Sequence, residues 1–134
     1  MITRCILIAA TILSLSAGAA MAYPSSIIGT WTMSANLTSL DLTILSQTDT
    51  SGCSIINGFI SNHGVAKSNS NIQGYYCAAT GAVSFLRKNK SNNNTFQVYS
   101  GFLDAGAGPH NFMAGIFTSY DPTGPGEYAF DAGQ

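Results

Sequence analysis

Gly29-Thr30-Trp31-Thr32-Met33-Ser34-Ala35-Asn36-Leu37, followed closely by Leu40-Asp41-Leu42-Thr43-Ile44-Leu45-Ser46-Gln47, decides the fold class. In the first run Trp31, Met33, Ala35 and Leu37 take every second position, and Thr30, Thr32, Ser34 and Asn36 lie between them. A period of two marks a strand with one buried face. In the second run Leu40, Leu42 and Ile44 are in phase. Only two residues, Thr38 and Ser39, separate the runs, so they read as neighbouring antiparallel strands.

The same pattern recurs to the end of the chain. Turn residues Asp49-Thr50-Ser51-Gly52 precede a third run, Cys53 to Ser61. A polar stretch, Asn62 to Asn71, leads to Ile72–Ala79, and Thr80-Gly81 breaks this from Ala82–Lys88. Lys90-Ser91-Asn92-Asn93-Asn94 reads as a hairpin tip before Thr95–Leu103. A Gly-rich loop, Asp104 to Pro109, precedes Phe112–Tyr120. Asp121-Pro122-Thr123-Gly124-Pro125-Gly126 reads as irregular, and Glu127–Asp131 closes the series. The composition agrees, with Thr, Tyr, Phe and Ile between Gly- and Asn-rich breaks and Glu127 as the sole glutamate. Eight sequential strands with short links predict an all-β, up-and-down antiparallel barrel, because closure removes two raw sheet edges. A two-sheet sandwich is the rival, and only Asn62–Asn71 is long enough to carry its crossover.

Residues Met1–Ala22 read as a signal peptide. Arg4 supplies the positive start, Ile6 to Leu15 an apolar run of about ten residues, too short to span a bilayer, and Ala20-Met21-Ala22 a cleavage pattern. The domain is therefore expected over 23–134, in a secreted or periplasmic protein, with no later membrane segment. Removing Arg4 leaves four Lys and Arg against six Asp and Glu, a net charge of −2. Charged residues make up 8% of the chain, so the basic footprint of a nucleic-acid binder is absent. Arg87, Lys88 and Lys90 read as a solvated hairpin tip that discourages edge pairing.

Cys5 leaves with the leader, and Cys53 and Cys77 remain. An even pair in an exported chain reads as a disulfide, closing a loop of about 25 residues and contributing on the order of 3 kcal/mol. Neither His63 nor His110 sits at a ligand spacing from either cysteine, so no metal site or cofactor is expected. Catalytic signatures are missing too. There is no Gly-x-Ser-x-Gly, no His-Glu-x-x-His and no phosphate loop, and neither histidine has an evident acidic or nucleophilic partner. The chain is read as a binder rather than an enzyme.

Ordered motifs then add a resemblance. Ile28-Gly29-Thr30-Trp31, Asp41-Leu42-Thr43-Ile44, Ile56-Asn57-Gly58-Phe59, Ile72-Gln73-Gly74-Tyr75, the run Gly81–Asn89, Tyr99-Ser100-Gly101-Phe102 and Ile116-Phe117-Thr118-Ser119 stand in the order of strands one to seven of the avidin and streptavidin family. The resemblance spans nearly all of the chain after residue 22. It implies a biotin-binding β-barrel that assembles as a homo-oligomer, dimer or tetramer. Tyr75, Leu86, Ile56 and Ile60 are expected to face outward and to suit such contacts.

Carried over residue by residue, the resemblance places the ligand among Met33, Ala35 and Leu37 of strand one, Phe59 of strand three and Phe85 of strand five. It adds Thr95, Gln97 and Tyr99 of strand six, Phe117 of strand seven and Tyr128 of strand eight. The chain departs from the family here. Met33, Ala35 and Leu37 cannot donate hydrogen bonds where the family sends polar groups to the ureido oxygen. Phe85 and Tyr99 stand for tryptophans, Gly115 falls near a third, and Tyr128 stands for the aspartate that takes a ureido N–H. Trp31 reads as a core plug at the barrel floor. The expected function is a secreted small-ligand binder with biotin or an analogue as first candidate. The alternatives are a secreted inhibitor or interaction module whose barrel is filled by side chains and takes no small molecule, and lipocalin-like carriage of an apolar ligand.

Overall fold

A computed structural model describes residues 23–66, 70–89, 96–104 and 110–134. The leader expected over 1–22, the hairpin tip at 90–94, Thr95 and the loop residues 105–109 lie outside the described residues. Eight strands follow in order: β1 (Gly29–Ala35), β2 (Thr38–Thr48), β3 (Ser54–Asn62), β4 (Ser70–Cys77), β5 (Ala82–Asn89), β6 (Phe96–Asp104), β7 (Phe112–Asp121) and β8 (Gly124–Gly133). Each pairs antiparallel with the next, and β8 returns to β1 to close the barrel. The closing seam is short, running from Thr32↔Gly133 to Ala35↔Phe130, and the Asn36 amide extends it by donating to the Ala129 carbonyl at 3.2 Å. The two-sheet sandwich is thereby excluded.

Alternation dictates which side chains fill the interior. In β1, Trp31, Met33 and Ala35 are buried, and in β2, Leu40, Leu42 and Ile44 are buried. Strand β3 corrects an expectation. Ile56 and Ile60 are wholly buried in the core rather than outward. The run holds apolar residues on both faces, so its phase is ambiguous alone, and the register Leu42↔Ile60 and Ile44↔Gly58 selects the face. Tyr75 and Leu86 do face outward, at 57% and 41% exposure. The second correction concerns 121–126. Strand β7 runs through Asp121 and pairs directly with Gly124, so the turn is confined to Pro122-Thr123. Asp121 Oδ1 accepts the Thr123 amide at 2.8 Å and ties that turn.

Tight curvature needs close backbone approach. Gly74 in β4 lies between Ile56 and Phe85, and a Cβ there would fall 2.0 Å from the Ser84 carbonyl oxygen. That contact accounts for glycine in Ile72-Gln73-Gly74-Tyr75.

The floor of the barrel is shut by the segment preceding β1. Ile27 is fully buried, its carbonyl accepts Trp31 Nε1–H at 3.0 Å, and Gln47 Oε1 accepts its amide at 3.0 Å. Gln47 Nε2 donates to the Ser25 carbonyl at 2.8 Å, and the Tyr76 hydroxyl donates to the Pro24 carbonyl at 2.6 Å. A register shift in β2 between Ile44 and Ser46 leaves Leu45 at 64% exposure, and the strand runs on from it to Gln47. Cys53 and Cys77 are joined by a disulfide that fastens the start of β3 to the end of β4. No helix among the described residues is long and apolar enough to cross a membrane.

Candidate functional site

At the end opposite this floor the barrel opens into a cavity of about 370 Å³. Its geometry follows from strand register. Phe85↔Tyr99, Tyr99↔Phe117 and Phe117↔Tyr128 are cross-strand partners, so four inward aromatic side chains form one row across β5 to β8. Phe85 stacks on Tyr99 at 4.7 Å, Tyr99 on Phe117 at 4.8 Å, and Phe117 meets Tyr128 at 5.3 Å. Phe130 meets Tyr99 edge-on at 5.3 Å. Such contacts fix the rings and leave little freedom to rearrange.

One inward step toward the open end lies a polar row, Arg87↔Gln97 and Gln97↔Ser119. Arg87 Nη1 donates to Gln97 Oε1 at 3.0 Å and Nη2 to Ser70 Oγ at 3.3 Å. The Tyr99 hydroxyl donates to the same Gln97 oxygen at 3.0 Å. Across the mouth stand Asn36 from the β1–β2 turn, Thr38 and Leu40 from β2 and Asn62 at the end of β3. The lining holds a guanidinium, amides, hydroxyls and phenols, and no carboxylate. Burial pushes the Tyr99 hydroxyl above the ordinary phenol range, and the nearby Arg87 guanidinium pulls part of the way back.

The expected ligand residues separate into three groups. Ala35, Gln97, Tyr99, Phe117 and Tyr128 line this cavity. Met33 and Phe85 are interior but buried, at 1% and 2% exposure, in the core beneath it. Leu37 and Phe59 are elsewhere. Strand β1 stops at Ala35, and Asn36 and Leu37 turn the chain with φ of 48° and 64°, leaving Leu37 98% exposed. Phe59 has the outward parity of β3. It borders a separate outer groove of about 360 Å³ with Thr30, Asp41, Thr43 and Ser61.

His63 corrects another reading, since it has an acidic partner. Its Nδ1 lies 2.7 Å from Asp41 Oδ1, and Asp41 Oδ2 accepts the Gly64 amide at 2.8 Å. These bonds hold the Asp41 carboxyl below its ordinary value, the backbone bond most. Among the described residues no group of three or more His, Cys, Asp or Glu could hold a metal ion.

Sequence reasoning missed Asn36, Thr38, Leu40, Asn62, Arg87 and Ser119 as lining residues. Arg87 is not part of a solvated tip: it shares the odd-numbered phase of Val83 and Phe85, both buried, and lines the cavity. Alternation carried two residues further would have placed it inside.

The closed eight-strand antiparallel barrel, with its cavity at one end, matches the avidin-like fold of shwanavidin. The chain matches no protein-family model and no curated protein. Among solved structures it is similar to apo shwanavidin in its P21 form, at 19% identity and a TM-score of 0.58, covering 86% of this chain and 100% of that one. A point variant of shwanavidin in complex with biotin matches at 16% identity and a TM-score of 0.55, over 83% of this chain and 100% of that one. A second apo form of shwanavidin matches at 16% identity and a TM-score of 0.57, covering 85% and 100% of the two chains. At these identities the likeness is one of fold.

Proposed function

We propose that this chain is an exported, non-enzymatic binding protein that takes a small molecule into the open end of its barrel, with biotin or an analogue as the first ligand to test. The observation that carries the reading is the cavity of about 370 Å³, walled by a stacked aromatic row and crowned by hydrogen-bonding side chains. Ring surfaces supply area for an apolar or planar body, and a few placed polar groups fix orientation. The biotin complex of a shwanavidin variant on the same fold supports biotin as the starting compound. Ala35, Gln97, Tyr99, Phe117 and Tyr128 are the proposed contacts, with Asn36, Thr38, Asn62, Arg87 and Ser119 added from the lining. The polar wall argues against carriage of a purely apolar ligand, and the cavity argues against a fully filled barrel.

Export rests on the leader-like segment at 1–22 together with the Cys53–Cys77 disulfide. A homo-oligomer is supported by outward apolar side chains on neighbouring strands, among them Tyr75, Leu86, Phe102 and Ile116, each at least 41% exposed.

Thermal unfolding with and without biotin tests the reading. At a thousandfold excess over its dissociation constant the ligand should stabilise the fold by about 4 kcal/mol. An unchanged midpoint at millimolar biotin would remove biotin from consideration.

A further inference from the structure

We infer that Arg87 is the recognition group for a ligand carboxylate, so that the cavity accepts a small ring compound as its free acid and rejects the neutral ester. This rests on the small-ligand reading above and deepens it by naming the group the ligand must carry.

All six acidic residues of the chain are among the described residues. Asp41 pairs with His63 on the outer face, Asp49 accepts the Ser54 hydroxyl, and Asp121 ties the β7–β8 turn. Asp104, Glu127 and Asp131 are exposed. The ion pair found among the described residues is His63–Asp41, so no carboxylate side chain balances Arg87. Its hydrogen bonds to Gln97 and Ser70 engage two of its five N–H donors, the Tyr99 hydroxyl lies beside it, and all three of these neighbours are neutral oxygens.

A surface arginine needs no counter-charge, because water solvates it. Arg87 is different, since its side chain is partly buried and lines the cavity beside Tyr99 and Gln97. Placing an uncompensated cation against aromatic walls costs folding free energy. An incoming anion would supply the missing charge. The planar guanidinium fork matches a carboxylate bidentately. Gln97 and Ser70 hold the fork in place, and Tyr99, Phe117 and Tyr128 offer ring faces and edges directly below for the body of the same molecule.

The rival role for Arg87 is structural, a tie between β4, β5 and β6. The experiment separates the two using the intact, disulfide-bonded protein. Two matched probe pairs, biotin with biotin methyl ester and phenylacetate with methyl phenylacetate, are titrated by calorimetry and thermal shift against wild type, Arg87→Met and Arg87→Lys. The expected result is binding of at least one acid, with its ester about ten- to hundredfold weaker. Arg87→Met should lose that preference and, without ligand, melt at or above the wild-type temperature. Arg87→Lys, which keeps the charge without the fork, should recover part of the preference. Acids and esters binding alike overturns the proposal, as does failure of both acids, or Arg87→Lys showing no preference. Biotin and its ester binding equally would retain biotin and discard the carboxylate site. Phenylacetate binding without biotin would do the reverse.

Discussion

Leu37 holds a backbone conformation that a leucine resists. With Asn36 it supplies two consecutive positive φ values, 48° and 64°, which is the requirement of a two-residue type I′ hairpin turn. Asparagine suits the first position, but the leucine Cβ strains the second, at about 1–2 kcal/mol for the left-handed region. At 98% exposure the side chain buries almost nothing in return. Leu37→Gly should therefore raise stability by about 1 kcal/mol. Urea unfolding followed by Trp31 fluorescence would read this as a higher midpoint with unchanged slope. Tyr99 governs a pH effect. Its hydroxyl titrates above the ordinary value of 10.0, chiefly because burial disfavours the phenolate. The unfolded chain therefore ionises first, and stability, complete below about pH 10, drains away as pH rises through the folded value. Tyr99→Phe should cost about 1 kcal/mol at neutral pH through the lost bond to Gln97. It should also flatten the alkaline decline of the melting temperature. Part of the decline should persist, because burial raises Tyr76 as well. An identical slope in wild type and variant would show that Tyr99 does not carry it.

Among the elements, the segment before β1 bears more than its lack of regular structure implies. It contributes Ile27 to the core and carbonyls to Trp31, Gln47 and Tyr76, and so seals the end of the barrel away from the cavity. Ile27→Ala should destabilise by about 2–5 kcal/mol, the usual range for a large-to-small core change. Because the cavity lies at the other end, ligand affinity should stay within about twofold at temperatures where the variant is folded. Calorimetry on the folded variant checks this. A large loss of affinity would mean that floor and mouth are coupled. The β3–β4 connection is held differently, by the Asp41 carboxylate taking both His63 Nδ1 and the Gly64 amide on the outer wall.

For the whole molecule, stability depends on closure. Every strand has two partners, and the β1–β8 seam is the shortest of the eight pairings. The Cys53–Cys77 bond fastens two strands on the far side from that seam, across a sequence separation of 24. In the chain-entropy model its loss destabilises by about 3 kcal/mol. A Cys53→Ala, Cys77→Ala double variant should unfold at a correspondingly lower denaturant midpoint, with the far-ultraviolet strand signal intact before the transition. An unchanged midpoint would mean that the bridge adds nothing to a barrel already closed by hydrogen bonds.

Local pattern alone specified much of this. Alternation in Trp31, Met33, Ala35 and in Leu40, Leu42, Ile44 marks strands and their inner faces, because a period of two is written within a few residues. The cysteine pairing was legible on other grounds, an even count in a chain read as exported, and the aromatic positions Phe85, Tyr99, Phe117 and Tyr128 came from the resemblance that the ordered motifs carry. Other features required the strands to meet. Ile56 and Ile60 are inward because β2 sets the register of β3, the start of β8 is fixed by Asp121↔Gly124, and Leu37 is outward because the hairpin turns two residues earlier than its alternation implied. The cavity's charge balance belongs to the same group. Whether Arg87 has a partner depends on where six acids distant in sequence come to rest, and electrostatic pairing is a property of distances in space that no stretch of chain encodes by itself.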